Sequence, residues 1–180
     1  MPLTTYTAGE VLTAASLNAN LSFASTNAGP IAIFNETQAS GTSGGTFTSG
    51  SYVKRTLNTT VVNQITSCTL TSSVISLPAG TYLVIASAPA YNCNQHQTKL
   101  RNTTDSTDIQ FGSSELAYRD AGGNMPTNRS ELQTVFVLTG TKNIELQHRC
   151  TTTQNTNGLG VDAGFGNNNT YAQITITKIA

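Results

Sequence analysis

Hydrophobic and polar residues alternate along most of the chain after residue 30, in segments about ten residues apart. In the last segment, 171–179, one face holds Ile174, Ile176 and Lys178 and the other is mainly Gln and Thr. Such alternation is typical of β-strands with one buried face. A terminal strand with an apolar row usually lies inside a sheet, so we predict that it pairs with the first strand. The spacing as a whole indicates a sandwich or a barrel.

One segment, 81–88, differs from the others because neither of its faces carries a charge. It follows a turn signal at Pro78 and Gly80, and it ends in small residues that include Ala86 and Ala88. A strand without charge on either face is typically covered on both sides. We therefore predict that this is the central strand and that the rest of the chain packs around it.

The remaining segments complete an all-β pattern. Segment 39–50 contains mostly Gly, Ser and Thr, and we predict a loop with little to bury. Strands at this spacing, with no helix beyond residue 30, favour a jelly-roll β-sandwich, in a head domain of residues 31–180. The other predicted strands are 31–36, 51–57, 60–66, 74–77, 93–101, 107–116, 131–138, 143–150 and 158–165.

Residues 1–30 show helical spacing instead, with apolar residues near every third or fourth position between 10 and 24. A turn signal at 27–30 separates this arm from the head. A helix this short needs a partner surface. It either docks onto another protein or packs on its own head, and its terminal position favours docking. The predicted docking residues are Val11, Leu12, Leu17, Leu21 and Phe23.

The charge content excludes one class of partner and favours assembly. Only 10% of the residues are charged, and nine basic residues balance nine acidic ones. No basic stripe is present to neutralise phosphates, so we expect no nucleic acid partner. A chain with no net charge has little colloidal protection as a free monomer, and permanent assembly would explain why this is tolerated.

The sequence also bears on the cellular compartment. No segment approaches the roughly 20 apolar residues of a membrane span, so we expect no membrane insertion. The N-terminus lacks the basic and apolar regions of a secretory signal. The three cysteines, Cys68, Cys93 and Cys150, are an odd number, so we expect free thiols and synthesis in a reducing cytoplasm.

Cys93, His96, His148 and Cys150 form the one constellation with metal-ligand chemistry. If their strands pair, thiolate and imidazole groups could share a zinc ion. Strand geometry argues against this, because Cys93 and His96 are three positions apart and should point to opposite faces, unless a turn at the end of the strand brings them together. The alternative is that the thiols are buried apolar groups and the histidines are hydrogen-bonded. We expect no metal and no cofactor.

Catalysis has weaker support. No helix is predicted beyond residue 30 to carry a nucleophile elbow for a serine. Carboxylates that could cleave glycans lie in or next to predicted turns, where solvation explains them more simply. We therefore expect that the protein is not an enzyme. Polar loops at 92–95, 119–129 and 151–157 could bind sugars beside Tyr91 and Tyr118. The carboxylates considered are Asp105, Asp108, Glu115, Asp120 and Glu131.

Several dispersed motifs resemble the C1q/TNF-like jelly-roll head domains found on bacteriophage virions. They are LPAGTY at 77–82, ASAPAY at 86–91, HQTKLRN at 96–102 and IELQHRC at 144–150. The arm at 6–18 is similar to the N-terminal segment that often opens phage fibre and minor structural proteins. The resemblance covers nearly the whole chain and implies a homotrimer with its central strands near a three-fold axis. The candidates for the trimer core are Tyr82, Val84, Ala86, Ala88, Ile174 and Ile176.

The resemblance also implies a place on the virion surface, after assembly in the bacterial cytoplasm. A long fibre needs a shaft of heptads or a β-helical repeat, and this chain has neither. The head must then sit close to whatever the arm grips. This favours a knob that decorates and cements the capsid by binding the major capsid protein. The alternative is a tail or vertex protein that binds a receptor, a host surface glycan.

Overall fold

The computed structural model describes residues 5, 7–9, 13–18, 29–118 and 126–180, and within them the head is a β-sandwich. This confirms the predicted all-β class. Its strands, in chain order, are β1 (Ile31–Gln38), β2 (Val53–Lys54), β3 (Thr59–Asn63), β4 (Thr69–Thr71), β5 (Val74–Leu77), β6 (Gly80–Tyr91), β7 (Asn94–Asn102), β8 (Thr107–Ala117), β9 (Thr127–Leu138), β10 (Lys142–Cys150) and β11 (Asn169–Lys178).

The strands form two antiparallel sheets. The five-stranded sheet has the order β3-β1-β11-β6-β9, and the six-stranded sheet contains β4-β5-β10-β7-β8, with β2 also paired to β10. The strand predicted as central, β6, lies between β11 and β9. The last strand, β11, pairs with β1 as the sequence predicts. The predicted pairing of the last strand with the first is confirmed. The middle strand of this sheet is β11 and not β6, and Ile85 on the outward face of β6 is 49% exposed in the single chain, so the prediction of a central strand covered on both faces is not confirmed.

The main core fills the space between the two sheets. Alternate residues of each strand point into it, so Phe34, Tyr82 and Ile174 from one sheet are fully buried against Leu100 and Leu146 from the other. The Tyr82 hydroxyl, whose ring lies in this core, donates a hydrogen bond to the carbonyl oxygen of Pro78 over 2.8 Å. Burial of these large side chains stabilises the sandwich, at about 1.5–3 kcal/mol for each.

The segment predicted as a strand at 158–165 is a loop instead, and that prediction is wrong. Gly160, Gly164 and Gly166 have φ values of 143°, 70° and 80°, which break the extended backbone that a strand requires. The predicted strand at 51–57 shortens to β2, and β4 was not predicted.

The loop at 39–50 is also held more firmly than its composition predicts. Phe47 is fully buried and packs on the His148 ring, with 4.6 Å between the ring centroids. Its backbone pairs with Gln154 through hydrogen bonds of 2.9 and 3.0 Å. The expectation that this loop buries little is therefore wrong, because one aromatic side chain anchors it.

Of the arm, the structure describes a helical turn at residues 14–18. Thr13 caps it, since its hydroxyl accepts a hydrogen bond from the Ser16 amide over 3.2 Å. Leu17 is 42% exposed in the single chain. The other predicted docking residues, Val11, Leu12, Leu21 and Phe23, lie outside the described residues. The boundary between arm and head at residue 30 stays a prediction.

Within the described part of the chain, no helix has the length and apolar character needed to cross a membrane.

Candidate functional site

A buried ion pair lies inside the sandwich. Glu36 follows Phe34 on the inward face of β1. Its carboxylate Oε2 accepts a hydrogen bond from Nε of Arg55 over 2.8 Å and lies 2.7 Å from Nη2 of the same guanidinium. Both side chains are fully buried. The guanidinium also donates to the carbonyl oxygens of Pro89 (3.3 Å) and Leu159 (2.8 Å). Burial lowers the pKa of Arg55, and the Glu36 charge opposes that shift.

A chain of hydrogen bonds continues from this pair across the interior. Nη1 of Arg55 lies 3.4 Å from Nδ1 of His148, and Nε2 of His148 lies 2.9 Å from Nδ1 of His96. Nε2 of His96 then lies 2.7 Å from Oδ1 of Asn128, whose amide donates to the Leu116 carbonyl oxygen over 3.1 Å. This series of hydrogen bonds thus joins β1 of one sheet to β10 and β7 of the other and returns to β9 of the first sheet.

The donor and the acceptor of each hydrogen bond in this series follow from Arg55, at which the series begins. An arginine can only donate, so Nδ1 of His148 accepts and its Nε2 carries the hydrogen. His96 must then accept at Nδ1 and donate from Nε2 to Asn128. Burial first, and the Arg55 charge with it, lower the pKa of both histidines, most strongly that of His148. Both rings are therefore neutral at pH 7.

Cys93 and Cys150 form a second pair beside the histidines. Both are buried in a small cluster with Phe47, Ala90 and Ala117. The neighbouring Cys150 thiol and burial raise the pKa of Cys93, and the neighbouring Cys93 thiol lowers that of Cys150.

The expectation that Cys93 and His96 point to opposite faces is wrong. Both side chains are buried. Asn92 and Asn94 have φ values of 45° and 65°, so the backbone turns at Cys93 just before β7 begins and the strand alternation does not apply there.

Cys93, His96, His148 and Cys150 are thus brought together as two pairs. Among the described residues, no group of three or more His, Cys, Asp or Glu side chains is placed to hold a metal ion. Both nitrogens of each imidazole are already hydrogen-bonded, in the series that runs from Arg55 to Asn128.

The outer face of the five-stranded sheet carries exposed aliphatic side chains. Ile85 on β6 is 49% exposed, and Val135 and Val137 on β9 are 56% and 66% exposed. Leu83 lies opposite Val135 in the sheet register, which joins the two strands into one patch. We call the patch formed by Leu83, Ile85, Val135 and Val137 the aliphatic face.

The outer face of the six-stranded sheet carries ion pairs beside exposed apolar side chains, which include Phe111 and Leu116. Asp108 forms ion pairs with Lys99 over 2.8 Å and with Arg101 over 2.7 Å. The Lys99 ammonium also lies 4.2 Å from the centroid of the Tyr52 ring. Charged groups of this kind suit a surface in water, whereas the aliphatic face suits contact with protein.

The six trimer-core candidates have a different position. All are at most 2% exposed in the single chain, because they occupy the inward positions of β6 and β11. A contact between subunits on this sheet would use the outward positions, which are those of the aliphatic face. The six residues are Tyr82, Val84, Ala86, Ala88, Ile174 and Ile176.

Two of the carboxylates considered for catalysis, Asp105 and Asp108, are tied to cations. Lys142 donates to Asp105 over 2.6 Å, and this hydrogen bond lowers the pKa of Asp105. Asp108 is held by two cations, and the hydrogen bond from Lys99 lowers its pKa. Glu131 is exposed next to the aliphatic face, and Asp120 lies outside the described residues.

A cleft of about 450 Å³ opens at one end of the five-stranded sheet. Its lining includes Arg129, Asn167, Asn168 and Phe165, and the Phe165 side chain is 84% exposed. The ring is presented by a turn between Gly164 and Gly166. Amides, a guanidinium and an exposed ring are groups that can hold a sugar.

Sequence reasoning missed Glu36 and Arg55. The signal for Glu36 was present, because it continues the inward row of Ala32 and Phe34 in an alternating strand. A charge on an apolar row predicts a buried partner. Nothing in the local sequence identifies Arg55 as that partner.

The fold is that of TNF/C1q-like jelly rolls. Murine APRIL matches with a TM-score of 0.51 and 8% identity, over 82% of this chain and 98% of that one. A TNF protein, Eiger, from S. frugiperda matches with a TM-score of 0.55 and 13% identity, over 84% and 94%. The globular domain of zebrafish complement 1qA matches with a TM-score of 0.50 and 12% identity, over 84% and 98%.

These identities establish the fold alone. No protein-family model matches the sequence. No curated protein matches it either.

Proposed function

We propose that this chain is a non-enzymatic structural protein of a bacteriophage virion, a homotrimeric knob that decorates and cements the capsid. The observation that carries the proposal is the contrast between the two outer sheet faces. One is aliphatic and the other holds ion pairs, so the molecule has one side suited to a subunit contact. The phage origin rests on the sequence motifs in the head and the arm.

The occupant of the aliphatic face is a second copy of this chain. Val135 and Val137 are 56% and 66% exposed in the single chain, so covering them completely stabilises the contact by about 1–2 kcal/mol each. A charged partner would bury its charges against this patch at a cost. The protein itself has no net charge, so a second copy brings no overall charge to this contact. Closed symmetry around three copies would cover all three aliphatic faces.

The arm would then hold the trimer on the particle. Leu17, exposed in the single chain, is one of its apolar contacts, together with Val11, Leu12, Leu21 and Phe23. A protein that binds only the assembled capsid lattice stabilises that lattice by mass action. This is how decoration would offset internal pressure, and the major capsid protein is the partner.

The number of copies per particle tests this role. Quantitative mass spectrometry of purified virions, against the major capsid protein, should give on the order of hundreds of copies, since a lattice repeats its binding site. Deletion of residues 1–30 should abolish decoration and leave the head folded. A few tens of copies or fewer would place the protein on the tail or at a vertex and overturn the cement role.

A second candidate function, host recognition, is favoured by the cleft at Phe165. In that case a host surface glycan would stack on the exposed ring and bond to Asn167 and Arg129. Three identical clefts would add avidity to weak single contacts. Purified head should then block infection, and Phe165→Ala should remove the block. A cement protein would do neither.

A further inference from the structure

Arg129 is a partly buried cation that has no anionic partner among the described residues. Its Nε donates to the Ser87 hydroxyl over 3.0 Å, and its Nη2 donates to the carbonyl oxygens of Ser87, over 3.3 Å, and of Tyr171. These neutral acceptors fix the plane of the guanidinium. Nη1 forms no hydrogen bond within the described part of the chain, so it keeps two hydrogens to donate.

The other described arginines have their charges balanced or solvated. Arg55 and Arg101 each form an ion pair with a carboxylate. Arg149 is exposed, so water solvates its charge. Burial lowers the pKa of Arg129, and the charge of Arg55 lowers it further, because both disfavour a cation at this place. An anion beside Arg129 would offset that cost.

The cleft of about 450 Å³ gives such an anion a place to bind. Arg129 lines it and every other lining residue is uncharged, so the cleft carries a single positive charge. The exposed polar side chains of Asn167, Asn168 and Thr170 can exchange hydrogen bonds with hydroxyl groups. The Phe165 ring, which is 84% exposed, offers an apolar surface. One cation, several neutral polar groups and one exposed ring thus line one concave site.

We propose that this cleft binds a sugar that carries a carboxylate, with the carboxylate on Arg129 and the face of the sugar ring on Phe165. A carboxylate brings one negative charge, which matches the one cation. A phosphate ester carries nearly two negative charges at pH 7 and would find only one positive charge here. Charge-assisted hydrogen bonds from a guanidinium to a carboxylate are roughly twice as strong as neutral ones.

This inference rests on the second candidate function, in which the cleft recognises the host, and it narrows the ligand to an acidic glycan. The amides of Asn167 and Asn168 would bind the hydroxyl groups of the sugar. The carboxylate on Arg129 would supply the selectivity, since a neutral sugar leaves the cation without an anion. The cement role does not use this cleft and does not depend on the result.

The test is a titration of the full-length chain with glucuronate, galacturonate and N-acetylneuraminate, each compared with its own methyl ester. The ester keeps the ring and the hydroxyl groups and removes the charge. Saturation-transfer NMR detects weak ligands of this kind directly. At least one acid should bind about tenfold more tightly than its ester, and raised salt should reduce that preference.

Two variants and a control locate the carboxylate. Arg129→Gln should make the acid bind no better than its ester. Asn168→Asp places a negative charge in the cleft from an exposed position and should weaken binding of the acid more than of the ester. This variant removes none of the hydrogen bonds that Arg129 donates, so it decides the question even if Arg129→Gln fails to fold. Gln110→Glu adds the same charge on β8 of the other sheet and should change neither affinity.

Equal affinity of acid and ester in all three pairs, or no binding by any of them, would overturn the proposal. So would acetate that binds as tightly as the sugar acids, because the site would then hold any small carboxylate. Loss of oligomeric mass in Arg129→Gln, without sugar binding in the wild type, would assign this cation to a contact between subunits and also overturn it. If purified head still blocked infection in any of these cases, host recognition would stand and only its acidic ligand would be wrong.

Discussion

The His148 ring donates a hydrogen bond from Nε2 to Nδ1 of His96 over 2.9 Å, and neither ring has a nitrogen free to take a proton. Arg55 fixes the direction from one end and Asn128 accepts at the other. Protonation of either ring therefore has to break a buried hydrogen bond. The pair is held in its neutral form by geometry and by burial together.

The first prediction is a loss of stability in mild acid. Both histidines have a folded-state pKa below the ordinary value of 6.5, so the unfolded chain binds protons first as the pH falls. The histidine contribution is complete above about pH 6.5 and decreases as the pH falls from there toward the folded-state pKa values. The urea midpoint at about pH 5.5 should be lower than at about pH 7.5.

The charged groups around His96 and His148 determine whether stability falls or rises with pH and in which pH range it changes. Arg55 and Arg129 disfavour a positive charge on His148, while Glu115 favours one on His96. The surface carboxylates Asp105 and Asp108 have lowered pKa values and titrate at more acid pH. His96→Gln should reduce the slope between the two pH values. Equal midpoints in the wild type would contradict the neutral pair.

The second prediction concerns the buried ion pair. Glu36→Gln leaves the Arg55 cation buried without its anion, so the free energy of unfolding should fall by about 3–5 kcal/mol. The matched control is Lys54→Met, because the Lys54–Glu145 pair is longer at 3.8 Å and partly exposed. That change should cost less than about 1 kcal/mol. Urea unfolding of both variants measures the difference.

A double variant tests whether the loss of stability comes from the interaction between Glu36 and Arg55. If Arg55 is the reason for the loss, Glu36→Gln combined with Arg55→Met should be less destabilising than the sum of the two single changes. Additive losses would mean that the two side chains act independently, although the carboxylate and the guanidinium are in direct contact.

The third prediction concerns the loop at 39–50. Phe47→Ala removes a fully buried ring and should cost about 3–5 kcal/mol, and the loop should become sensitive to proteases. Phe165→Ala is the matched control, since its ring is 84% exposed and should leave stability unchanged. Equal effects of the two changes would show that Phe47 does not anchor the loop.

Much of this fold could be predicted because strand alternation is a local property. The inward residues of β6 and β11 follow from the two-residue period alone, and so does the pairing of β11 with β1. That period also places the aliphatic face on the outward positions. The trimer-core candidates Tyr82 and Ile174 lie on the inward positions, which the core of one chain already uses.

The polar interior could be predicted only in part. Glu36 stands out on an inward row, but Arg55 reaches it from the position after β2, a strand too short to show a pattern. The contact of Cys93 with Cys150 depends on left-handed backbone at Asn92 and Asn94. Phe47 was the one aromatic residue in a Gly, Ser and Thr segment, a signal that composition alone conceals.

The fourth prediction is that one charge on the aliphatic face separates the subunits. Val135→Glu places a carboxylate in the proposed contact, where burial without a partner is costly. The variant should remain folded, with an unchanged circular dichroism spectrum, and become monomeric. Gln110→Glu, an exposed change on β8 of the other sheet, should leave the assembly intact.

The mass of the wild-type particle in solution tests the central claim most directly. Light scattering on the purified chain should give three times the mass of one 18.9 kDa subunit, at micromolar and lower concentrations. That result, lost in Val135→Glu and kept in Gln110→Glu, would establish the aliphatic face as the subunit contact. A wild-type monomer with an exposed aliphatic face would contradict the account.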